Sequence, residues 1–158
     1  MKKMILIAFL FLFYNCSQKL CYEERSIDEL KKLYLNNELN YSFYQALKEY
    51  KLSVNNIKNV EKLIEEGFKK YNRNQNKGKY KLKKLPNFKQ YGYILSPCMN
   101  NKGDKLVFVH AYWTNRNCSD LGSLDEWFEV CDGGNSMLQL VINLTKKKIP
   151  YVRPNGEA

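Results

Sequence analysis

The spacing of apolar residues changes once along the chain, and that change limits the folds open to it. From Val54 to Tyr71 apolar side chains recur every three or four residues, which predicts an amphipathic helix. Beyond Gly78 the spacing becomes two, most clearly from Leu106 to Trp113, and such alternation is typical of β-strands. Helices followed by consecutive strands predict an α+β fold, with N-terminal helices packed on a C-terminal four- to five-stranded antiparallel meander sheet.

Serine residues mark the predicted starts of two helices. Ser26 stands three residues before Glu29, the spacing of a capping box in which each side chain bonds the other's backbone amide. Ser53 precedes the long helix and can cap it. We expect strands 88–96, 104–114 and 126–132 to lie side by side in that order, as in a meander, with a turn at 100–103 and a polar loop at 115–123 between them. Further strands are predicted at 138–144 and, as an edge strand, at 149–153.

The first residues predict an export signal. Lys2 and Lys3 precede an uncharged apolar run from Met4 to Tyr14. A helix that spans a bilayer needs about 20 apolar residues, and this run is shorter. The segment therefore indicates export rather than a membrane span.

Two cleavage positions fit this signal. One lies before Cys16, which would then carry a lipid, and the other lies near Ser17. We favour lipidation of Cys16, with a membrane partner reached through that lipid. The predicted organisation is a signal peptide at 1–15, a tether at 16–25 and a single α+β domain at 26–158.

Either cleavage leaves four cysteines in an exported chain. Disulfides are expected in that setting, and four cysteines allow three connectivities, among which the sequence does not choose. None of the spacings is the CxxC of a redox or zinc pair. The disulfide candidates are Cys21, Cys98, Cys118 and Cys131.

Positive charge is concentrated in one segment of the chain. The formal net charge is +10, and residues 67–103 hold 10 basic and no acidic residues. Such a segment attracts anions, whereas export argues against a nucleic-acid partner. A solvated face that keeps the protein soluble is the alternative use of these charges. The basic patch comprises Lys69, Lys70, Arg73, Lys77, Lys79, Lys81, Lys83 and Lys84.

Few residues suggest chemistry. The single histidine, His110, falls in the most apolar strand, where a hydrogen-bonded core histidine is commoner than a base or a ligand. Carboxylates cluster between Asp125 and Asp132 and could serve a hydrolase, but their separation is not set by their spacing. We predict no catalytic residues, no metal site and no cofactor.

The C-terminal third carries three short motifs. They are Asp132-Gly133-Gly134-Asn135, Asn143-Leu144-Thr145-Lys146-Lys147 and Asn155-Gly156-Glu157-Ala158. This pattern resembles small uncharacterised lipoproteins of Bacteroidetes, as does a signal that ends in Cys16-Ser17 after a Phe/Leu run. The resemblance implies an outer-membrane lipoprotein. Residues 17–20 lack the acidic residues that such lipoproteins carry for surface export, which implies the periplasmic face. It implies no activity and no site residue.

Three functions are compatible with these features. The first is a lipid-anchored cell-envelope protein with a binding or structural role and no catalytic activity, which meets an anionic or acidic envelope partner. The second is a secreted or anchored inhibitor or immunity-type protein that binds an acidic partner. The third is an envelope hydrolase that uses the carboxylates around 125–132. The sequence leaves the oligomeric state open.

Overall fold

The computed structural model describes residues 20–34, 44–75, 83–114, 134–148 and 152–154. Short 3-10 turns, Phe88–Gln90 and Gly134–Ser136, precede two of the strands. The helices and strands, in chain order, are β1 Cys21–Glu24, α1 Ile27–Tyr34, β2 Lys48–Glu49, α2 Val54–Asn74, β3 Tyr91–Met99, β4 Lys105–Trp113, β5 Met137–Asn143 and β6 Arg153–Pro154.

The α+β class is confirmed, but the expected arrangement of its parts is confirmed only in part. The strands β3, β4, β5 and β6 pair in chain order and antiparallel, as expected of a meander. The sheet has six strands in the order β1-β3-β4-β5-β6, with β2 also paired to β3. It is mixed, because β1 runs parallel to β3 while the other pairs are antiparallel. The helices do not precede the sheet, since β1 comes before α1 and β2 lies between the helices. Residues 21–24, which the sequence assigned to the tether, form β1.

The expected strand order also needs correction at the centre of the sheet. β4 pairs with β3 along one edge and with β5 along the other, from Leu106 opposite Asn143 to Tyr112 opposite Met137. Both edges of β4 are therefore occupied, and β5 holds the place beside β4 that was predicted for strand 126–132. Residues 115–133 lie outside the described part of the chain.

Helix α2 forms as its spacing predicts and covers one face of the sheet. The Ser53 hydroxyl accepts from the Asn56 amide, and the Asn56 side chain accepts from the Ser53 amide, so these two backbone donors at the N-terminus are satisfied. Its buried stripe packs on alternate residues of β3, β4 and β5. The stripe consists of Val60, Leu63, Ile64, Phe68 and Tyr71, and the strand residues beneath it include Tyr91, Tyr93, Leu95, Val107, Val109, Leu138, Leu140 and Ile142.

Helix α1 packs on the opposite face of the sheet, at the Met99 end of β3. Ile27 and Leu30 are fully buried there in one cluster with Cys98, Leu106 and Phe108. The predicted cap is only partly correct, because the Ser26 hydroxyl accepts from the Asp28 amide rather than from that of Glu29. The Glu29 amide donates instead to the Ser26 carbonyl.

Two strands share one edge of β3, and Pro97 lies where they meet. β1 pairs with Gly92 to Leu95, and β2 pairs with Cys98 and Met99. The Arg25 amide donates to the Leu95 carbonyl, so the backbone of Leu95 points to this edge. Pro97 is two residues further and points the same way, because strand backbones repeat every two residues. Its missing N–H therefore falls at the break between β1 and β2 and removes no bond to β4.

Candidate anion-binding face

The basic patch is partly assembled by the fold. Lys69, Lys70 and Arg73 lie on the last turns of α2, and Lys83 and Lys84 precede the 3-10 turn before β3. All five side chains are exposed, and we call them the cationic face. The other predicted members, Lys77, Lys79 and Lys81, lie outside the described residues.

Two asparagines hold the halves of this face together. The Asn72 side chain donates to the Leu85 carbonyl at 3.0 Å and accepts from the Leu85 amide at 2.7 Å. The Asn135 side chain donates to the carbonyls of Lys83 and Lys84, at 3.2 and 3.4 Å. The backbone at Lys84 is therefore held beside the last turn of α2, which carries Arg73. Neither asparagine was predicted to act here, because each bond joins residues that are distant in sequence.

Within the described part of the chain, one ion pair compensates the charge of the cationic face. Lys69 pairs with Glu65 at 2.6 Å, but both side chains are well exposed, so water screens the attraction. No acidic residue lies between Glu66 and Asp104 in the sequence. Positive side chains also complement the negative end of a helix, which favours Lys70 and Arg73 near the C-terminus of α2. As far as the described residues show, an anion can thus reach this face without first breaking a network of ion pairs.

A pocket of about 240 Å³ opens at the break between β1 and β2. Its charged lining residues are Glu24, Arg25, Glu49 and Lys51, and Pro97 forms part of its wall. This pocket could not be predicted from the sequence, because it depends on two short strands that meet at one edge of β3. Its two acidic and two basic side chains give it no net charge, so it offers no preference for anions.

The face of the sheet opposite α2 carries several buried polar groups. Ser96 is fully buried and Tyr112 nearly so. Within the described residues, their hydroxyls have no hydrogen-bond partner. His110 is two residues from Tyr112, and burial lowers its pKa to about 4, so its imidazole is neutral at physiological pH. Burial raises the pKa of Tyr112, which the nearby Arg25 guanidinium opposes.

Two of the five cysteines lie within the residues that the structure describes. Cys98, one of the disulfide candidates, is a free and buried thiol, because its side chain points into the apolar cluster beneath α1. Burial raises the pKa of this thiol to about 12. Cys21 is disulfide-bonded. The lipidation candidate Cys16 and the disulfide candidates Cys118 and Cys131 lie outside the described residues.

The C-terminal motif residues have structural roles where the structure describes them. Asp104 accepts hydrogen bonds from the side chains of Lys146 at 2.6 Å and Asn143 at 3.2 Å. The Thr145 hydroxyl accepts from the Lys105 amide at 2.8 Å. These bonds join the turn between β3 and β4 to the turn after β5. The hydrolase candidates between Asp125 and Asp132 lie outside the described residues.

Among the residues that the structure describes, no group of three His, Cys, Asp or Glu side chains could hold a metal ion. Neither described helix is long and apolar enough to cross a membrane. No protein-family model, no curated protein and no solved structure matches the chain. The resemblance to Bacteroidetes lipoproteins therefore stays a prediction.

Proposed function

We propose that this protein is an exported, lipid-anchored cell-envelope protein whose domain binds an anionic component of the envelope and catalyses no reaction. One observation carries the proposal. Asn72 and Asn135 bond the backbone of residues 83–85, so the segment that carries the exposed Lys83 and Lys84 is held against the last turn of α2, near which Lys70 and Arg73 lie. A face that is fixed before binding loses less conformational entropy when it meets an anion than a flexible basic segment would.

The lipid anchor on Cys16 is the second part of the proposal. The apolar run and Lys2-Lys3 support export, and Cys16 follows the run closely enough to carry the lipid. We place the protein in the outer membrane, facing the periplasm, because residues 17–20 lack acidic side chains. The anchor needs no residue of the described domain.

Fractionation of cells tests the anchor. After a high-salt wash, which removes chains held by charge alone, we expect the wild-type chain in the membrane fraction and a Cys16→Ala variant in the soluble periplasmic fraction. Ser17→Ala is the matched control and should stay with the membrane. A Cys16→Ala variant that remains in the membrane fraction after a high-salt wash would show that no lipid at Cys16 is needed.

Sedimentation with isolated envelopes tests the binding role. The mature chain with Cys16→Ser carries no lipid, and we expect it to co-sediment with envelopes at low salt and to be released as salt rises. Replacing Arg73 and Lys84 by Glu should abolish that co-sedimentation. Binding that is insensitive both to salt and to these replacements would contradict an electrostatic role for the cationic face.

A further inference from the structure

The first described residues lie at the same end of the domain as the cationic face. β1 runs parallel to β3 and begins with Cys21 opposite Gly92, so Leu20 lies at the Tyr91 end of the sheet. Leu20 is itself buried, in the core cluster that also contains Tyr71 and Phe88. The chain therefore enters the domain at a fixed point.

The last turns of α2 are held at this same end. The Phe68 ring lies 5.3 Å from that of Tyr91 and 6.5 Å from that of Phe88, measured between centroids. One turn further along α2, Asn72 bonds the backbone of Leu85. The exposed side chains of Lys70, Arg73 and Lys84 thus project from the end of the domain at which Leu20 enters.

The chain between the proposed lipid and the domain is short. Leu20 lies four residue steps beyond Cys16, and each step spans at most about 3.6 Å when extended, so the reach is at most about 14 Å. Electrostatic attraction in physiological salt extends over about 8 Å, a similar distance. A lipid on Cys16 would consequently hold this end of the domain close to the headgroups.

From this juxtaposition we propose that the anionic component is the lipid headgroup layer of the membrane in which the Cys16 lipid is inserted. The inference rests on the proposed anchor, but the cationic face makes its own contribution. Lysine and arginine side chains near an anionic surface each add to membrane affinity. A lipid combined with a basic patch holds a protein more firmly than either signal alone, and it also fixes which side of the domain faces the membrane.

Vesicle co-sedimentation tests the face apart from the anchor. The probe is the mature chain with Cys16→Ser, mixed with vesicles of phosphatidylcholine alone or of phosphatidylcholine with phosphatidylglycerol. We expect binding to the anionic vesicles only, weakening as salt rises. Equal binding to both kinds of vesicle, or to neither, would overturn the proposal.

Two matched triple variants separate a local face from total charge. The face variant carries Lys70→Glu, Arg73→Glu and Lys84→Glu. The control carries Lys48→Glu, Lys102→Glu and Lys148→Glu, three exposed positions at or near the Met99 end of β3. Both lose the same charge. We expect binding to fall at least about tenfold in the face variant and less than about threefold in the control, since charges act only within a Debye length of the surface.

The remaining outcomes are equally decisive. Equal losses in the two variants would show that net charge alone drives binding and would overturn the proposal. Circular dichroism checks that both variants fold. Binding to isolated envelopes without binding to anionic vesicles would identify an acidic envelope macromolecule as the partner, which overturns this inference but leaves the proposed function intact. Failure of the anchor itself is detected separately, by fractionation of Cys16→Ala.

Discussion

The Asp104 carboxylate accepts a hydrogen bond from the Lys146 ammonium at 2.6 Å and so connects two turns that are 42 residues apart in sequence. The Asp104 side chain is only 11 % exposed, whereas that of Lys146 is 57 % exposed. The hydrogen bond from Lys146, supported by those from Asn143 and Asn100, lowers the pKa of this carboxyl below its ordinary 3.8. The ionised carboxylate is therefore the form that stabilises the fold.

Replacing Asp104 by Asn should lower the urea midpoint of unfolding at pH 7, because the charge-assisted bond is lost. The difference from wild type should be constant above pH 3.8 and shrink below it, since the unfolded chain then takes up the proton first. Urea titrations at several pH values measure this. Lys147→Met, at an exposed position in the same turn, is the control and should change little. A difference that grows in acid would contradict the assignment.

The single histidine should give the fold an acid-sensitive window. The pKa of His110 is about 4 in the folded protein, against an ordinary 6.5, so the unfolded chain binds the proton first as the pH falls. Wild-type stability should thus decline between pH 6.5 and 4, by up to about 3 kcal/mol. His110→Gln should remove that decline when unfolding free energies are compared at each pH. An unchanged slope in the variant would show that His110 is not responsible.

Ser96 offers a test of its buried hydroxyl. Ser96 is fully buried opposite Phe108, and within the described residues its Oγ has no hydrogen-bond partner. We expect Ser96→Ala to leave stability unchanged or to raise it by up to about 2 kcal/mol, because a desolvated, unbonded hydroxyl is removed. Ser96→Thr adds a methyl group to the packed core and should lower stability instead. A loss of more than about 1 kcal/mol in Ser96→Ala would reveal a bonded hydroxyl.

Asn72 should contribute more to the free energy of unfolding than its half-buried position suggests. Asn72→Ala removes both bonds to Leu85 and should cost about 1–3 kcal/mol of unfolding free energy, since the backbone groups of Leu85 lose their partner. Hydrogen exchange at the Leu85 amide should accelerate in the same variant. Asn74→Ala, an exposed position on the same turn, is the control and should cost less than about 0.5 kcal/mol. Similar losses in the two variants would contradict this account.

The Cys98 thiol should be inert in the native protein. It is fully buried, and burial raises its pKa to about 12, so almost no reactive thiolate forms at pH 8. Peptide mapping after treatment with iodoacetamide should find the Cys98 peptide unmodified, and modified once denaturant is added. Modification of Cys98 in the folded chain would show that the cluster beneath α1 opens readily.

The elements that could be predicted are those with a long local pattern. Helix α2 shows the expected stripe over many turns, and β4 and β5 follow the expected alternation. β1 could not be predicted because its four residues are too few for a pattern, and its partner β3 is distant in sequence. The direct pairing of β4 with β5 was also not predicted, because local sequence patterns favoured a strand at 126–132 between them.

The candidate site shows the same division. Composition alone located the cationic segment, and the exposed side chains of Lys70, Arg73 and Lys84 agree with it. The bonds that Asn72 and Asn135 make to residues 83–85 could not be predicted. Asparagine is common in this chain, and a bond between residues that are distant in sequence produces no recognisable spacing pattern. Cys98 is free because it lies on the face of β3 that packs beneath α1. The number of cysteines in the sequence does not reveal which face of a strand each one occupies.

The parallel pairing of β1 with β3 has a consequence for the order in which the chain assembles. β1 is synthesised first, yet its partner strand follows only after α1, β2 and α2. Contacts over such separations form late, because the intervening loop must first be closed. The proposed lipid at Cys16 would keep β1 next to the membrane during this interval. β3 would then pair with β1 at the bilayer surface, and this pairing would complete that edge of the sheet there.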